Sequence, residues 1–194
     1  YRTPLEYGAQ RAPTAQWTVT GAGAYLIGGP RPGCPLVTGG MAGKAQDFGI
    51  NDTSNMGAAM APAAVDTLLR WLEATGRPAA DWDRIVTGDL GFEGGELFCS
   101  LAEHRGVDLR DRYADCGQLI YDRRTQDVHA GGSGCGCAGT VLGAYFLPML
   151  EAGKLRRILF LATGAMMSPD SIKQGGNIPA IAHLIELCGG ERDE

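Results

Sequence analysis

The sequence predicts an α/β protein. Strand-like and helix-like segments alternate through most of its 194 residues, and short glycine clusters stand where strand segments end, as tight turns into helices require. Glycine is 30 of 194 residues, about double the ordinary share, and follows no Gly-X-Y period.

Residues 1–13 are polar with two prolines and predict a loop. Residues 14–27 start β-branched and aromatic and continue small and apolar. They predict two short strands, or one strand kinked at Gly21 and Gly23. Residues 28–33 form a Gly/Pro turn, 34–41 a strand, and 43–55 an irregular stretch. Met60, Val65, Leu68, Leu69 and Leu72 recur at helical spacing, so a helix is predicted over 57–75 and ended by Gly76. Residues 84–87 predict a short buried strand, 88–91 a turn and 94–105 a second helix. Residues 118–121 predict another strand. The glycine-rich loop 130–137 leads into a helix over 139–152, closed by Gly153 and Lys154. Residues 157–163 predict a fully buried strand and 178–188 the last one. The alternation argues a mostly parallel sheet covered by helices. Ligands of such sheets gather at the C-terminal strand ends, where three glycine turns fall: 88–91, 131–136 and 164–169.

Composition narrows the function. Apolar residues are 44% and charged residues 20%, so neither a disordered tail nor a coiled coil is expected. The 17 basic and 22 acidic residues give a net charge of -5 without a basic stripe, so nucleic acid is not an expected partner. No run of 18 apolar residues occurs, so no transmembrane segment is expected. Six irregularly spaced cysteines include no CxxC and are expected as reduced thiols.

Several residues are candidates for chemistry. Asp89 is either a turn residue bonding its own backbone or a ligand contact. The 131–137 loop precedes a helix, so its N–H groups are placed to face an anion; alternatively, its glycines only let backbones pack closely. Cys135 and Cys137 lack a second ligand pair for zinc and fit small buried hydrophobes. Cys135 as a nucleophile has no identifiable basic partner. His129 precedes the glycine loop and is placed to reach the pocket. His104 is expected on an exposed helix end and His183 as a satisfied histidine of the last strand. Arg11 and Lys173 are possible carboxylate partners, with a solvated role the simpler reading of each. Trp17, Trp71 and Trp82 are expected to pack.

Thr14-Ala15 followed by Gly21-Ala-Gly-Ala24 resembles the strand of thiolase-fold condensing enzymes. Residues 55–60, 83–89, 130–134 and 157–167 resemble, in order, their long helix, the strand ending in their catalytic His, their Asn-bearing turn, and their last strand with its hairpin. The match is closer to one branch. Glu6-Tyr-Gly8, 18–23, 56–64, Thr87-Gly-Asp-Leu90, Asp115-Cys-Gly117, 130–137, 162–165 with Ser168-Pro169, and Ile178-Pro179 with Ile181-Ala-His183 resemble the stage V sporulation protein AD family.

The resemblance implies a thiolase-like fold, with residues 1–30 ending a first half and 31–194 forming the second. It implies binding of dipicolinate, pyridine-2,6-dicarboxylate, and a part in its uptake into the developing spore with membrane proteins of the same system. No cofactor is implied; calcium enters only as the ligand's counter-ion. The expected location is cytoplasmic or peripheral at the spore inner membrane. The family's chain is longer, so upstream residues are expected, or a second copy beside residues 14–27 in a homodimer. Asp89 stands where condensing enzymes carry His, and Gly132 and Ser133 stand at the Asn turn. A carboxylate does not donate to an enolate, so condensing activity is not expected. The residues expected at the ligand are Asp89, His129, Gly132, Ser133 and Gly134. The competing readings are an acyltransferase or 3-oxoacyl synthase-like enzyme of this fold, and a scaffold of a membrane channel complex that holds no ligand.

Overall fold

Residues 12–190 are described by a computed structural model. The strands are β1 Trp17–Thr18, β2 Leu36–Met41, β3 Arg84–Thr87, β4 Tyr113–Asp115, β5 Gly132–Ser133, β6 Arg157–Ala165 and β7 Ala180–Cys188. The helices are α1 Met56–Thr75, α2 Gly91–Glu103, α3 Cys116–Leu119, α4 Cys135–Val141, α5 Leu147–Glu151 and α6 Pro169–Lys173. A 3₁₀ turn covers Ala79–Asp81, and a π-helical turn, Leu142–Phe146, joins α4 to α5. The expected loop over 1–13, the Glu6–Gly8 pattern and Arg11 lie wholly or mostly outside the described residues.

Five strands form one sheet in the order β2-β7-β6-β3-β4, and β1 pairs separately with β5. The α/β class stands, but the sheet is mixed where a mostly parallel one was expected. β3 runs parallel to β4 and β6, whereas β7 runs antiparallel to β6 and β2. The cause is the β6–β7 connection. It folds back as a hairpin, with the Met166 N–H donating to Pro179 O at 2.8 Å, and makes no helical crossover.

The sheet separates two apolar layers. On one face, Leu159, Leu161, Ala182 and Leu184 pack with Met60, Val65, Leu68 and Phe98 of α1 and α2. On the other, Val86, Ile158 and Phe160 pack with Val141, Leu142, Phe146 and Leu150 of the α4–α5 run. Burial of these side chains against both faces is the main stabilising term.

Helix α1 forms as its spacing predicts. The Asn55 side chain accepts the Ala58 N–H at 3.1 Å, and Gly76 ends the helix in the left-handed region at φ 65°. Pro62 lies inside it, where the surrounding Met60, Ala61, Ala63 and Ala64 are all buried. Packing thus offsets the missing helical donor. Helices α1 and α2 touch backbone to backbone: a Cβ on Gly94 would stand 2.7 Å from Gly57 Cα.

Other elements differ from the expectation. Residues 118–121 are not a strand; the strand is β4, and Gln118 lies in α3. Asp115 decides this, because its side chain accepts the Gln118 N–H at 3.1 Å and so caps a helix there. The helix expected from 139 starts at Cys135, and the one expected from 94 starts at Gly91. Strand β6 runs two residues past Thr163, so Gly164 is in a strand; it is buried only over Ile158–Leu161, and Ala162 is exposed. Of residues 14–27 only Trp17–Thr18 is strand, and Leu26 and Ile27 are 97% and 85% exposed. Trp82 and Trp71 are buried as expected.

Gly94→Ala is expected to lower unfolding free energy by about 1–3 kcal/mol, because the new methyl meets backbone rather than a movable side chain. Urea denaturation of the wild type and variant measures it.

Candidate functional site

The turn that follows β3 holds the site together. Its first residue, Gly88, donates its N–H to Leu161 O at 3.0 Å and fastens the turn to β6. Asp89 comes next and is 7% exposed. One carboxylate oxygen, Oδ2, accepts the Gly134 N–H at 2.8 Å. The other, Oδ1, accepts the Thr163 hydroxyl at 2.7 Å, and the Asp89 N–H reaches Thr163 Oγ1 at 3.2 Å. A single side chain therefore joins the β3 turn, the glycine-rich loop and strand β6.

The 130–137 loop forms because its backbone is packed from several sides. A Cβ on Gly131 would stand 2.5 Å from Gly117 O, and one on Gly132 would stand 2.7 Å from Ile120 Cγ2. Gly134 has φ 101°, which glycine adopts without strain. Gly132 and Ser133 are buried and pair in parallel with Trp17 and Thr18 as β5 and β1. Gln16, buried at 2% exposure, donates through Nε2 to Asp89 O at 2.9 Å and to Gly132 O at 3.0 Å.

A second carboxylate lies behind the first. Asp115 is fully buried and accepts the Thr87 hydroxyl at 2.7 Å, the Leu90 N–H at 2.8 Å, the Gly91 N–H at 3.0 Å and the Gln118 N–H at 3.1 Å. The Thr87 proton is thereby used, so the Tyr113 hydroxyl, 2.8 Å away, donates to Thr87 Oγ1. Burial pushes the Asp115 carboxyl up to about 7, and the negative charge of Asp89 adds to that. The Thr87 hydroxyl and the Leu90 and Gly91 amides oppose it. Burial also raises the Tyr113 hydroxyl and the Cys116 and Cys137 thiols well above their ordinary values.

The structure thus joins Asp89 to Gly134 directly and places Gly132 and Ser133 in the adjoining buried strand. It does not join His129 to them. His129, at φ 45°, places Nδ1 3.0 Å from Ala12 O and Nε2 3.2 Å from Asp127. It lines an open cleft of about 340 Å³ with Glu93, Arg123 and Asp127. His104 is exposed at the end of α2; His183 is exposed on β7, and its Nδ1 accepts the Gly43 N–H at 3.2 Å. Lys173 is exposed in the last turn of α6. Asp115, Gln16, Thr87 and Thr163 were not among the residues expected at the ligand, although Thr87, Asp115 and Thr163 lie in segments that carry the family resemblance. Only Asp115 carried a local signal, as an Asp that ends a strand and caps the next helix. Among the described residues, no three His, Cys, Asp or Glu side chains gather to hold a metal ion. No helix among them is long and apolar enough to cross a membrane.

These features define a class: an α/β chain with a mixed sheet, in which the turn after β3 meets a glycine-rich loop at two buried carboxylates. The model of the family stage V sporulation protein AD matches residues 1–188. Stage V sporulation protein AD of Bacillus subtilis (strain 168) is 43% identical over 192 residues, which are 98% of this chain and 56% of that protein. The chain belongs to the stage V sporulation protein AD family, and it spans little more than half the length of that relative.

Removing the Asp89 carboxylate strands two partly buried donors, the Gly134 N–H and the Thr163 hydroxyl. Asp89→Ala is expected to cost about 2 kcal/mol or more, and Thr163→Val about 1 kcal/mol. A double-mutant cycle should show coupling of about 1 kcal/mol in urea unfolding, because the two residues share one bond pair. Alkylation of the native protein should modify the exposed Cys34 and Cys135, while the buried Cys99, Cys116 and Cys137 react only after unfolding, as read by mass spectrometry of the labelled peptides.

Proposed function

We propose that this chain supplies the second half of a thiolase-like sporulation protein that binds dipicolinate and takes part in its uptake into the developing spore. In this reading residues 31–194 are the second half and residues 1–30 close the first. The protein acts with membrane proteins of the same system, in the cytoplasm or at the inner spore membrane.

One observation supports a binding role over condensing chemistry. At the strand end where condensing enzymes carry His, Asp89 has both oxygens engaged as acceptors, from Gly134 and Thr163. It holds no proton toward a substrate oxyanion, and Gly132 and Ser133 at the other expected donor position are buried in β5. What the turn keeps is a rigid frame of small residues whose nearest amide, that of Gly134, is already bonded to Asp89, so in this reading a flat, rigid ligand is recognised by shape. Two nearby carboxylates make this frame acidic, so a dicarboxylate must bring or find positive charge. Calcium as the ligand's counter-ion meets that need.

Calorimetry of the complete protein with dipicolinate, with and without calcium, is expected to give saturable heat and a raised melting temperature. Neither heat nor a melting shift would leave a scaffold role. Turnover of an acyl thioester would point instead to an acyltransferase.

A further inference from the structure

The stretch that leads into β1 is bonded along its main chain to the glycine-rich loop. Ala15 O accepts the Ala130 N–H at 3.1 Å, and the Trp17 and Val19 N–H groups donate to Gly131 O and Ser133 O, each at 2.9 Å. Gln16 lies inside this ladder, so its backbone is fixed on the loop. Its side chain reaches the turn after β3 as well. One amide nitrogen, Nε2, donates to Asp89 O at 2.9 Å and to Gly132 O at 3.0 Å. Both partners are acceptors, and the NH2 end of an amide has one hydrogen for each. The approach is close: a Cβ on Gly91 would stand 2.8 Å from Gln16 Nε2.

Asp89 and Gly132 are two of the residues expected at the ligand. The Asp89 carboxylate already ties the turn to Gly134 and Thr163. Gln16 adds a tie at the main chain, in which the carboxylate takes no part. Because Gln16 is buried, its loss leaves two carbonyls without that donor in a place that water does not freely enter.

We propose that Gln16 is a positioning residue of the ligand frame: its amide sets the spacing between the turn that carries Asp89 and the loop that carries Gly132.

The inference rests on the reading that this turn and this loop frame a ligand. It also has a consequence without ligand. Losing the Gln16 amide makes local opening of the turn and loop easier. Losing a buried hydrogen bond elsewhere, such as that from the Thr67 hydroxyl to Ala182 O at 2.8 Å, lowers global stability but leaves that local opening as it was.

The test compares Gln16→Met, a side chain of similar size without donors, with Thr67→Val in the complete protein. Amide hydrogen exchange is followed at Leu90 and Gly91 in the turn and at Gly131 and Gly134 in the loop. In Gln16→Met these amides are expected to exchange roughly tenfold faster, and in Thr67→Val at the wild-type rate. Dipicolinate affinity, read by calorimetry, is expected to fall by a similar factor in Gln16→Met and to hold in Thr67→Val. Exchange that stays unchanged in the turn or in the loop of Gln16→Met, or rises as much in Thr67→Val, overturns the proposal. So does an unchanged affinity where the wild type binds. A wild type that takes up no dipicolinate defeats the binding reading instead, and the exchange pattern then decides alone whether Gln16 spaces turn and loop. Should Gln16→Met fail to fold, Gln16→Asn, which draws the amide back by one methylene, takes its place with the same outcomes required.

Discussion

A carboxylate taken out of water must collect donors, and Asp115 collects them from three separate stretches of chain. Thr87 ends β3, Leu90 and Gly91 begin α2, and Gln118 lies in α3. The position of the turn between β3 and α2 follows from those bonds. So does the reach of Asp89, whose own bonds then lock the glycine-rich loop and β6. The arrangement is hierarchical: the inner carboxylate shapes the turn, and the outer one fastens the turn to its neighbours. An apolar core could not do this, because dispersion contacts do not specify direction whereas hydrogen bonds to a fixed carboxylate do.

The same hierarchy bears on what the family's site can do. A helix start fed by a glycine loop is commonly read as a cradle for an outside anion. Here the Gly134 amide is already engaged by the protein's own Asp89. An external carboxylate brought to this loop would therefore meet an amide that is already occupied. The close approach of Gly131 to the Gly117 backbone, and of Gly132 to the Ile120 side chain, leaves the loop little room to adapt.

Much of this was legible in the sequence, and what was not has a common physical cause. Helix α1 declared itself through the spacing of Met60, Val65, Leu68 and Leu72 and through Gly76, all local signals. Strands β3 and β6 showed as short apolar runs. Strand β4 did not, because Tyr113-Ala-Asp115 has no apolar pattern and exists through pairing with β3. Strands β1 and β5 are two residues each and likewise exist only as a pair. At the site, Asp89 and Gly134 stood out as a polar residue in a glycine turn and a glycine before a helix. Gln16, Thr163 and Asp115 act on partners far along the chain, and His129 turned away because its ring bonds Ala12 and Asp127. Nothing beside Gln16 or Thr163 in the sequence announces those partners, and the local signal of Asp115 shows only its capping bond.

The π-helical turn at Leu142–Phe146 sets a rule for length variation in this helix. Such a turn holds one residue more than an α-helical turn, so Val141 and Phe146, five positions apart, both face the core. Deleting one residue there would put these two side chains four positions apart, the spacing at which a regular α-helix keeps both on one face. Leu150, four positions after Phe146, would stay on the sheet-facing side. This turn is therefore the place in the helix where homologous chains can differ by one residue and still keep Val141, Phe146 and Leu150 toward the core.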